Sequence, residues 1–320
     1  MQLEAAIREA ALRIAPDIRR TPVEHSPWLS DLTGSDVYLK LENYQVTGSF
    51  KVRGALNKLG TLSEQDRKSG VIAASSGNHG LGVAFGASLL DIKATVFVPI
   101  YAEPSKVAAI KALGATVFAV GDDCLKTEEA ARTHAHQNNL TYISPYNDPD
   151  VIAGQGTVAL ELLTQLENLD AVFIALGGGG LLSGMGSFIK AVSPNTSVIA
   201  CSPARSPAMH ECLLVNKVID VPCHPTLSDA TAGGVEPGSI TLALCKEVID
   251  QSLLVTEEEI RSALVSIMNN HHMLIEGAAA VAVAGLLQSA AAWRNKRTAV
   301  LLCGANIGLG TLGETLRHHR

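Results

Sequence analysis

A lysine, Lys51, stands at the start of a predicted helix in the segment TGSFKVRGA, residues 47–55. The N-terminus of a helix disfavours an ammonium ion, because the aligned peptide dipoles place partial positive charge there. The pKa of such a lysine is lowered, and a neutral amine can act as a nucleophile. A solvated surface lysine is the alternative, and for an isolated lysine it is the better one, so Lys51 needs support from other segments.

Four consecutive glycines, Gly177, Gly178, Gly179 and Gly180, follow an apolar run that is typical of a strand and precede a helical pattern. Small residues at such a junction expose backbone N–H groups at a helix N-terminus, where they bind anions such as phosphate. A flexible turn is the alternative, but four glycines cost backbone entropy with no packing in return. The run therefore favours a phosphate site.

A second junction between a strand and a helix, residues 75–80 (SSGNHG), carries two hydroxyls, an amide and an imidazole. These side chains and the N–H groups beside them could hold a carboxylate. An ordinary helix cap explains the segment equally well, so both interpretations stay open at this point.

A third glycine pattern, residues 308–313 (GLGTLG), matches the G-x-G-x-x-G loop of dinucleotide-binding proteins. That fingerprint needs a helix, a second strand and an acidic residue about 20 positions on. Only seven residues follow Gly313. A tight turn into a terminal helix is favoured, and a nucleotide-binding oxidoreductase of the NAD type stays as the alternative from another class.

Composition narrows the possible partners and surroundings. The net charge of −6 and an aromatic content of 4% argue against nucleic acid. The six cysteines form no C-x-x-C pair, which indicates reduced thiols and a cytoplasmic protein. Charged residues near the N-terminus leave no signal peptide. Residues 171–189 are uncharged, but their six glycines favour a buried strand, a loop and a helix over a membrane span.

Apolar runs alternate with helical periods, which predicts an α/β fold with two doubly wound open twisted sheets. A helix is predicted to open the chain, and residues 202–237 are predicted to form long loops. Strands are predicted at residues 37–41, 71–74, 94–98, 115–120, 171–176, 197–201 and 298–302. Further helices are predicted at residues 51–62, 79–90, 104–113, 125–138, 152–165, 181–192, 257–270 and 276–291.

The first three segments, together with VIAGQGT at residues 151–157 and LIE at residues 274–276, occur in an order that resembles one family. It is the serine/threonine dehydratase and serine racemase family of fold type II pyridoxal phosphate (PLP) enzymes. The resemblance spans residues 19–310 and implies a tryptophan synthase β-like architecture. A large PLP-binding domain would comprise residues 1–60 and 145–320, and a small domain, residues 61–144, would close over the substrate.

The resemblance also implies roles for individual residues. Lys51 would form the Schiff base with PLP, Phe50 would pack against its ring, and Asn78 would bond its phenolic oxygen. Gly177 to Gly180 and Leu181 would hold the phosphate, and Cys303 would face the pyridine nitrogen. Lys51 and Ser76 would be catalytic, Ser76 on the face opposite the lysine. The substrate-binding residues implied are Ser75, Ser76, Gly77, His79 and Tyr146.

The activity implied is that of a dehydratase, or ammonia-lyase. It would convert L-threonine, L-serine or a bulkier 3-hydroxy amino acid such as phenylserine to a 2-oxo acid and ammonia by β-elimination. A thiol cannot keep the ring nitrogen protonated as a carboxylate would, which suits elimination. Ser76 leaves amino-acid racemisation open as an alternative. A β-replacement enzyme and a catalytically silent sensor are further, less favoured alternatives.

Three departures from the family pattern limit what can be carried over. The segment that binds a divalent cation in some members reads SPARSPA here, residues 202–208, without either carboxylate, so no metal is expected there. Ala305 replaces a glycine, which bears on the shape of the pocket. Because no regulatory domain follows the catalytic segments in the sequence, we expect no allosteric control by an end product through such a domain. The resemblance also implies a homodimer or homotetramer.

Overall fold

The computed structural model describes residues 2–122 and 124–317, and in that part the chain alternates helices with strands. The helices are α1 Gln2–Ile14, α2 Pro27–Thr33, α3 Lys51–Thr61, α4 Glu64–Ser69, α5 Asn78–Leu89, α6 Pro104–Ala112, α7 Cys124–Asn138, α8 Pro149–Gln165, α9 Gly180–Val192, α10 Ala208–Val215, α11 Ile240–Val248, α12 Glu257–His271, α13 Gly277–Ser289 and α14 Leu309–Arg317. The strands are β1 Val23–His25, β2 Asp36–Lys40, β3 Val71–Ala74, β4 Ala94–Val98, β5 Thr116–Ala119, β6 Thr141–Tyr142, β7 Ala171–Ala175, β8 Ser197–Pro203, β9 Gln251–Val255 and β10 Arg297–Leu301.

The strands form two separate sheets. The larger has six strands in the order β1-β2-β10-β7-β8-β9, all parallel except the pair β1 and β2. The smaller has four parallel strands in the order β5-β4-β3-β6. Helices cover the parallel strands, so the predicted α/β class with two doubly wound sheets is confirmed.

Close helix packing on the large sheet depends on small residues. Helix α13, with the sequence GAAAVAVAGLLQS, lies against β7, β8, β9 and β10 and is buried along nearly all of its length. A Cβ built on Gly285 would lie 2.3 Å from Cys201 Sγ, so only glycine fits at that position. Helix α8 packs closely against α9 and α3. Phe50 N, just before α3, donates to Cys303 O just after β10, which places the start of α3 at the carboxyl end of that strand.

The secondary-structure predictions were wrong or incomplete for short elements with weak sequence patterns. Residues 202–237, predicted as loops, contain helix α10 and a 3-10 turn at Asp229–Thr231. Strand β9 was not predicted because it lies at a sheet edge and is only partly buried, so it lacks a continuous apolar run. The apolar segment 171–189 is divided between β7, the glycine turn and α9. No helix in the described residues has both the length and the apolar character needed to span a membrane.

Candidate active site

Lys51 is the first residue of α3, and its side chain is buried together with the start of that helix. Its Nζ donates a hydrogen bond to Pro145 O at 2.9 Å. A Cβ built on Gly82 would lie 3.2 Å from the carbonyl carbon of Lys51, so α5 packs directly over this turn. Burial lowers the pKa of Lys51 to about 8, against the raising effect of Cys303, Glu276 and Glu128. The main cause is therefore burial.

The tetraglycine run forms the turn between β7 and α9. Gly179 has φ of +89°, a conformation that favours glycine, and it caps α9. A Cβ on Gly178 would lie 2.5 Å from the Tyr146 ring, and one on Gly180 would lie 2.8 Å from Tyr146 Cα. In the described chain, the backbone N–H groups of residues 178–181 donate no backbone hydrogen bond. They are available to an anion at the N-terminus of α9.

The SSGNHG segment connects β3 to α5 and leaves one side open. Ser75 Oγ accepts a hydrogen bond from Gly77 N at 3.1 Å, which shapes the turn. A Cβ built on Gly77 would meet no atom within 4 Å. Ser76 is half-buried beside it. The turn therefore presents Ser76 and Gly77 at an open surface, as a substrate site requires.

His79 lies behind this turn as a buried, neutral side chain. Its Nε2 is 2.8 Å from Ile143 O, and since a carbonyl only accepts, Nε2 carries the hydrogen. Burial, together with the charge of Lys51, lowers the pKa of His79 to about 3. Its Nδ1 has no hydrogen-bond partner within the part of the chain that the structure describes.

Asn78 belongs to a hydrogen-bonded group that the sequence did not reveal. Its Nδ2 donates to both carboxylate oxygens of Glu276, at 2.9 and 3.0 Å. Its Oδ1 accepts from Asn306 Nδ2 at 2.6 Å. Burial raises the pKa of Glu276 to about 7, and the bond from Asn78 partly opposes this. Glu276 and Asn306 lie within or beside segments noted for the resemblance, but nothing in the sequence indicated their contact.

Cys303 follows β10 and places a thiol near Lys51. Phe50 N donates to Cys303 O at 3.1 Å, so the residue before α3 is bonded to the segment just after β10. Both side chains are buried. Burial, reinforced by the charge of Glu276, holds the pKa of Cys303 well above its ordinary value, so the thiol is neutral. The site combines the amine of Lys51, the neutral thiol of Cys303 and a glycine turn that has room for an anion because it lacks side chains. These three groups together fit a phosphorylated aromatic aldehyde.

Other predicted features lie apart from this group. Gly310 and Gly313 are inside α14, so residues 308–313 do not form the loop that a dinucleotide needs. The segment 202–208 runs from the end of β8 into α10, and the described residues hold no cluster of three metal-ligating side chains. Tyr146, predicted to face the substrate, contacts the glycine turn, and its hydroxyl accepts from Glu236 N at 2.9 Å.

Fold and site thus define an α/β protein with two mainly parallel sheets and a buried, lysine-centred group of residues that could hold a cofactor. The family model described as "pyridoxal-phosphate dependent enzyme" matches residues 14–304. The chain belongs to this family of PLP-dependent enzymes.

Individual relatives agree with this assignment. An L-threonine ammonia-lyase of Thermotoga maritima is 39% identical over 310 residues, 97% of this chain and 77% of that protein. The solved threonine deaminase isoform 2 of Solanum lycopersicum, in its processed form, has a TM-score of 0.94 at 32% identity, covering 99% of this chain and 88% of that one. Maize serine racemase has a TM-score of 0.91 at 30% identity, covering 98% and 97%.

Proposed function

We propose that this chain is an ammonia-lyase that converts a 3-hydroxy amino acid to a 2-oxo acid and ammonia by β-elimination. The candidate substrates are L-threonine, L-serine and a bulkier analogue such as phenylserine. The relatives named for L-threonine and the family's cofactor support this class of reaction.

The observation that carries the proposal is the neutral thiol of Cys303. Bound PLP withdraws electrons from the Cα–H bond of an amino acid, and a protonated ring nitrogen strengthens this effect. A buried thiol with a raised pKa does not hold that proton as a carboxylate would. Weaker withdrawal suits elimination, in which the Cα proton and the β-hydroxyl leave in close succession.

We propose that Lys51 removes the Cα proton of the substrate. Its Nζ would hold the cofactor in the resting enzyme and act as the base during the reaction. A pKa of about 8 leaves an appreciable neutral fraction near pH 7. Residues 177–181 would hold the phosphate, Phe50 would pack on the ring, and Cys303 would face its nitrogen.

The open turn before α5 is the proposed site for the substrate carboxylate. Ser75, Ser76 and Gly77 lie at the N-terminus of α5, where N–H groups and the helix dipole favour an anion. His79 supplies a neutral surface behind it, because its pKa is about 3. Tyr146 would border the side-chain pocket beside the glycine turn.

Residues 61–144, which contain the four-stranded sheet, are proposed to form the small domain that closes over substrate. Two ion pairs support this. Arg132 on α7 contacts Glu236, and Lys106 on α6 lies 3.4 Å from Asp229. Both carboxylates belong to the segment between α10 and α11 that borders the large sheet. Closure would exclude water from the reacting bonds.

The test is a substrate panel on the purified protein. We expect a yellow protein with a visible absorption band, and release of ammonia and a 2-oxo acid from at least one of L-threonine, L-serine and threo-phenylserine. Lys51→Ala should remove both the band and the activity. A colourless wild-type protein, or one that releases no ammonia from any of the three, would contradict the proposal.

Amino-acid racemisation is the second candidate, favoured by Ser76 at the open turn and by the match to maize serine racemase. A proton donor opposite Lys51 is what inversion needs. Ser76→Ala should then lower racemisation far more than ammonia release, with Ser63→Ala, the cap of α4, as the control. If inverted amino acid accumulates faster than ammonia in the wild type, racemisation is the main activity.

We also propose that the enzyme acts in the cytoplasm as a homodimer or homotetramer. Reduced, largely buried thiols support the first part. Light scattering on the eluted protein would establish the number of subunits, and a monomer mass would contradict the second part.

A further inference from the structure

Glu276 is a buried carboxylate for which the proposed reaction has no use. Its residue is 2% exposed and caps α13. None of the ion pairs among the described residues includes it. Its oxygens accept from Asn78 Nδ2 at 2.9 and 3.0 Å and from Asn306 N at 3.1 Å. An anion is thus held by neutral donors alone.

These three residues close a ring of hydrogen bonds. Asn306 donates through Nδ2 to Asn78 Oδ1 at 2.6 Å and to Thr47 O at 2.9 Å, and through its backbone to Glu276. A carboxylate and a carbonyl only accept, so the direction of both amide groups is determined. The ring joins the starts of α5 and α13 to the loop after β10 and to the segment that leads into Lys51.

The ring favours the ionised form of Glu276, because all three of its contacts are N–H donors aimed at the carboxylate oxygens. A proton on the carboxyl removes the charge that strengthens the bonds from Asn78 and Asn306 and leaves one oxygen as a hydroxyl, a weaker acceptor. Glutamine at this position would remove the same charge. The charged and titratable groups around the carboxylate are Asp229, Lys106, Lys51 and the Cys303 thiol.

We propose that Glu276 is a positioning residue that fixes the Asn78 amide so that it presents only a donor to the cofactor. The two nearly equal Nδ2 distances place one hydrogen between the carboxylate oxygens and leave the second free. A free N–H suits the phenolic oxygen of PLP. The inference rests on the proposed placement of the cofactor beside Lys51 and Asn78.

The ring loosens as the solution becomes more acidic. Burial raises the pKa of Glu276 to about 7, so a growing fraction is protonated below that pH. Asn78 can then turn its amide and offer its oxygen to the cofactor instead. The bound cofactor therefore experiences a change near neutral pH that originates at Glu276.

The experiment compares holoenzyme with Glu276→Gln and a matched control, Glu259→Gln. Glu259 also accepts from a backbone N–H and a hydroxyl, both of Thr256, but it does so at the start of α12. The readouts are the visible spectrum between pH 5.5 and 9 and the dissociation constant of PLP. We expect a spectral transition near pH 7 in the wild type and in the control, absent in Glu276→Gln, with PLP bound about tenfold more weakly.

An Asn78→Ala background separates positioning from a structural role. If Glu276 acts through Asn78, adding Glu276→Gln to Asn78→Ala changes PLP affinity less than twofold. An equal loss in both backgrounds overturns the proposal. Should Glu276→Gln fail to fold, Glu276→Asp keeps the charge, and it should retain the transition while binding PLP more weakly; loss of the transition in a folded Glu276→Asp overturns the proposal.

The two proposals fail in different ways. A wild-type protein that binds no PLP contradicts the proposed function. A wild type that binds PLP while Glu276→Gln keeps its spectrum, transition and affinity contradicts only the role of Glu276.

Discussion

Two cations lie two positions apart in the first turn of α3, and their surroundings are opposite. Arg53 is fully buried and contacts Glu42 at 2.7 Å and Glu161 at 2.8 Å. Lys51 contacts a backbone carbonyl, Pro145 O, and in the described chain it forms no ion pair. One helix thus carries a fully neutralised cation beside one without a counter-ion.

The two pKa values follow from this difference. Burial alone would lower the pKa of Arg53, but contacts with Glu42 and Glu161 outweigh it and raise the pKa above its ordinary value. At Lys51 the nearby acidic groups are too distant to offset burial, and the pKa falls to about 8. The ion pairs of Arg53 join α3 to Glu42 and to Glu161 on α8.

Lys40 is a further buried cation with an ion-pair partner, and it shares that partner with Arg53. Its Nζ lies 2.7 Å from Glu161, and together with Arg53, Glu42 and Glu161 it forms what we term the buried ion cluster. The cluster joins β2, α3 and α8 beneath the site. A buried ion pair adds little net stability, but removing one partner is costly because the other charge stays buried.

The largest expected effect is that of Arg53→Met. Glu42 would stay fully buried without its ion-pair partner, with only the nearby charge of Lys40 to offset it, and the free energy of unfolding should fall by about 3 to 5 kcal/mol. Urea denaturation of the purified variant measures this loss.

The control is the same change at an exposed pair, Arg261→Met, where the partner Glu258 is largely exposed. It should cost less than about 1 kcal/mol. Adding Glu42→Gln to Arg53→Met should recover part of the loss. Equal losses at positions 53 and 261 would show that Arg53 does not anchor the helix.

Lys51→Met should have the opposite effect on the cofactor-free protein. The folded pKa of about 8 lies below the ordinary value of 10.5, so below pH 8 folding buries a cation that methionine avoids. The variant should be more stable by about 2 to 3 kcal/mol below pH 8. Between pH 8 and 10.5 only the unfolded wild type binds the proton, so wild-type stability rises and the difference shrinks.

Urea denaturation of cofactor-free wild type and variant at pH 7 and pH 10 measures the effect. Lys58→Met is a useful control, because Lys58 pairs with Asp148 and Asp150 and its pKa is raised rather than lowered. That variant should lose stability at pH 7. A Lys51→Met protein less stable than wild type at pH 7 would contradict the account of Lys51.

The contrast within α3 was only half visible in the sequence. The start of the helix and the lowered pKa of Lys51 could be predicted from local pattern, although burial rather than the helix dipole is its main cause. The partner of Arg53, Glu161, lies 108 residues away, and spacing along the chain gives no signal for such a pair. The same holds for Asn78 and Glu276, which are 198 residues apart.

The fold was more predictable than these contacts for a related reason. The seven predicted strands all form part of the two sheets, because buried parallel strands are continuous apolar runs. Strand β5 is short and exposed too, but residues 115–120 form an apolar run, whereas β9 begins with Gln251 and Ser252 and helix α10 has only eight residues. Local composition encodes burial, whereas polar contacts between distant segments depend on the folded geometry.

Glu161→Gln tests the buried ion cluster by changing an anion instead of a cation, and we expect an intermediate loss of stability. Glu161 contacts both Lys40 and Arg53, and a glutamine oxygen can still accept from one of them. The free energy of unfolding should fall by about 1 to 2 kcal/mol. Glu167→Gln, at an exposed position after α8, should be neutral. If the stability difference between wild type and Lys51→Met at pH 7 and pH 10 changes when both proteins also carry Glu161→Gln, the two cations are coupled.

The smallest effect on stability is expected at another cation, Arg132 on α7. It is 42% exposed, pairs with Glu236, and lies 4.2 Å from the centre of the Tyr142 ring. Arg132→Gln should change the free energy of unfolding by less than about 1 kcal/mol, because an exposed pair is screened by solvent. Its effect should fall instead on KM for the best amino-acid substrate.

The reason is that Arg132 pairs with Glu236 in the segment between α10 and α11. Under the closure proposed above, this pair would favour the closed arrangement. We expect KM to rise about threefold to tenfold while kcat changes less, and 0.5 M salt to reduce the difference from wild type. Lys68→Gln, which removes an exposed pair with Glu64 on α4, should leave both constants unchanged. An Arg132→Gln protein with wild-type KM at low salt would show that this ion pair does not affect substrate binding. Arg132 would then differ from Arg53, whose pairs affect stability, and from Lys51, whose unpaired amine is reactive.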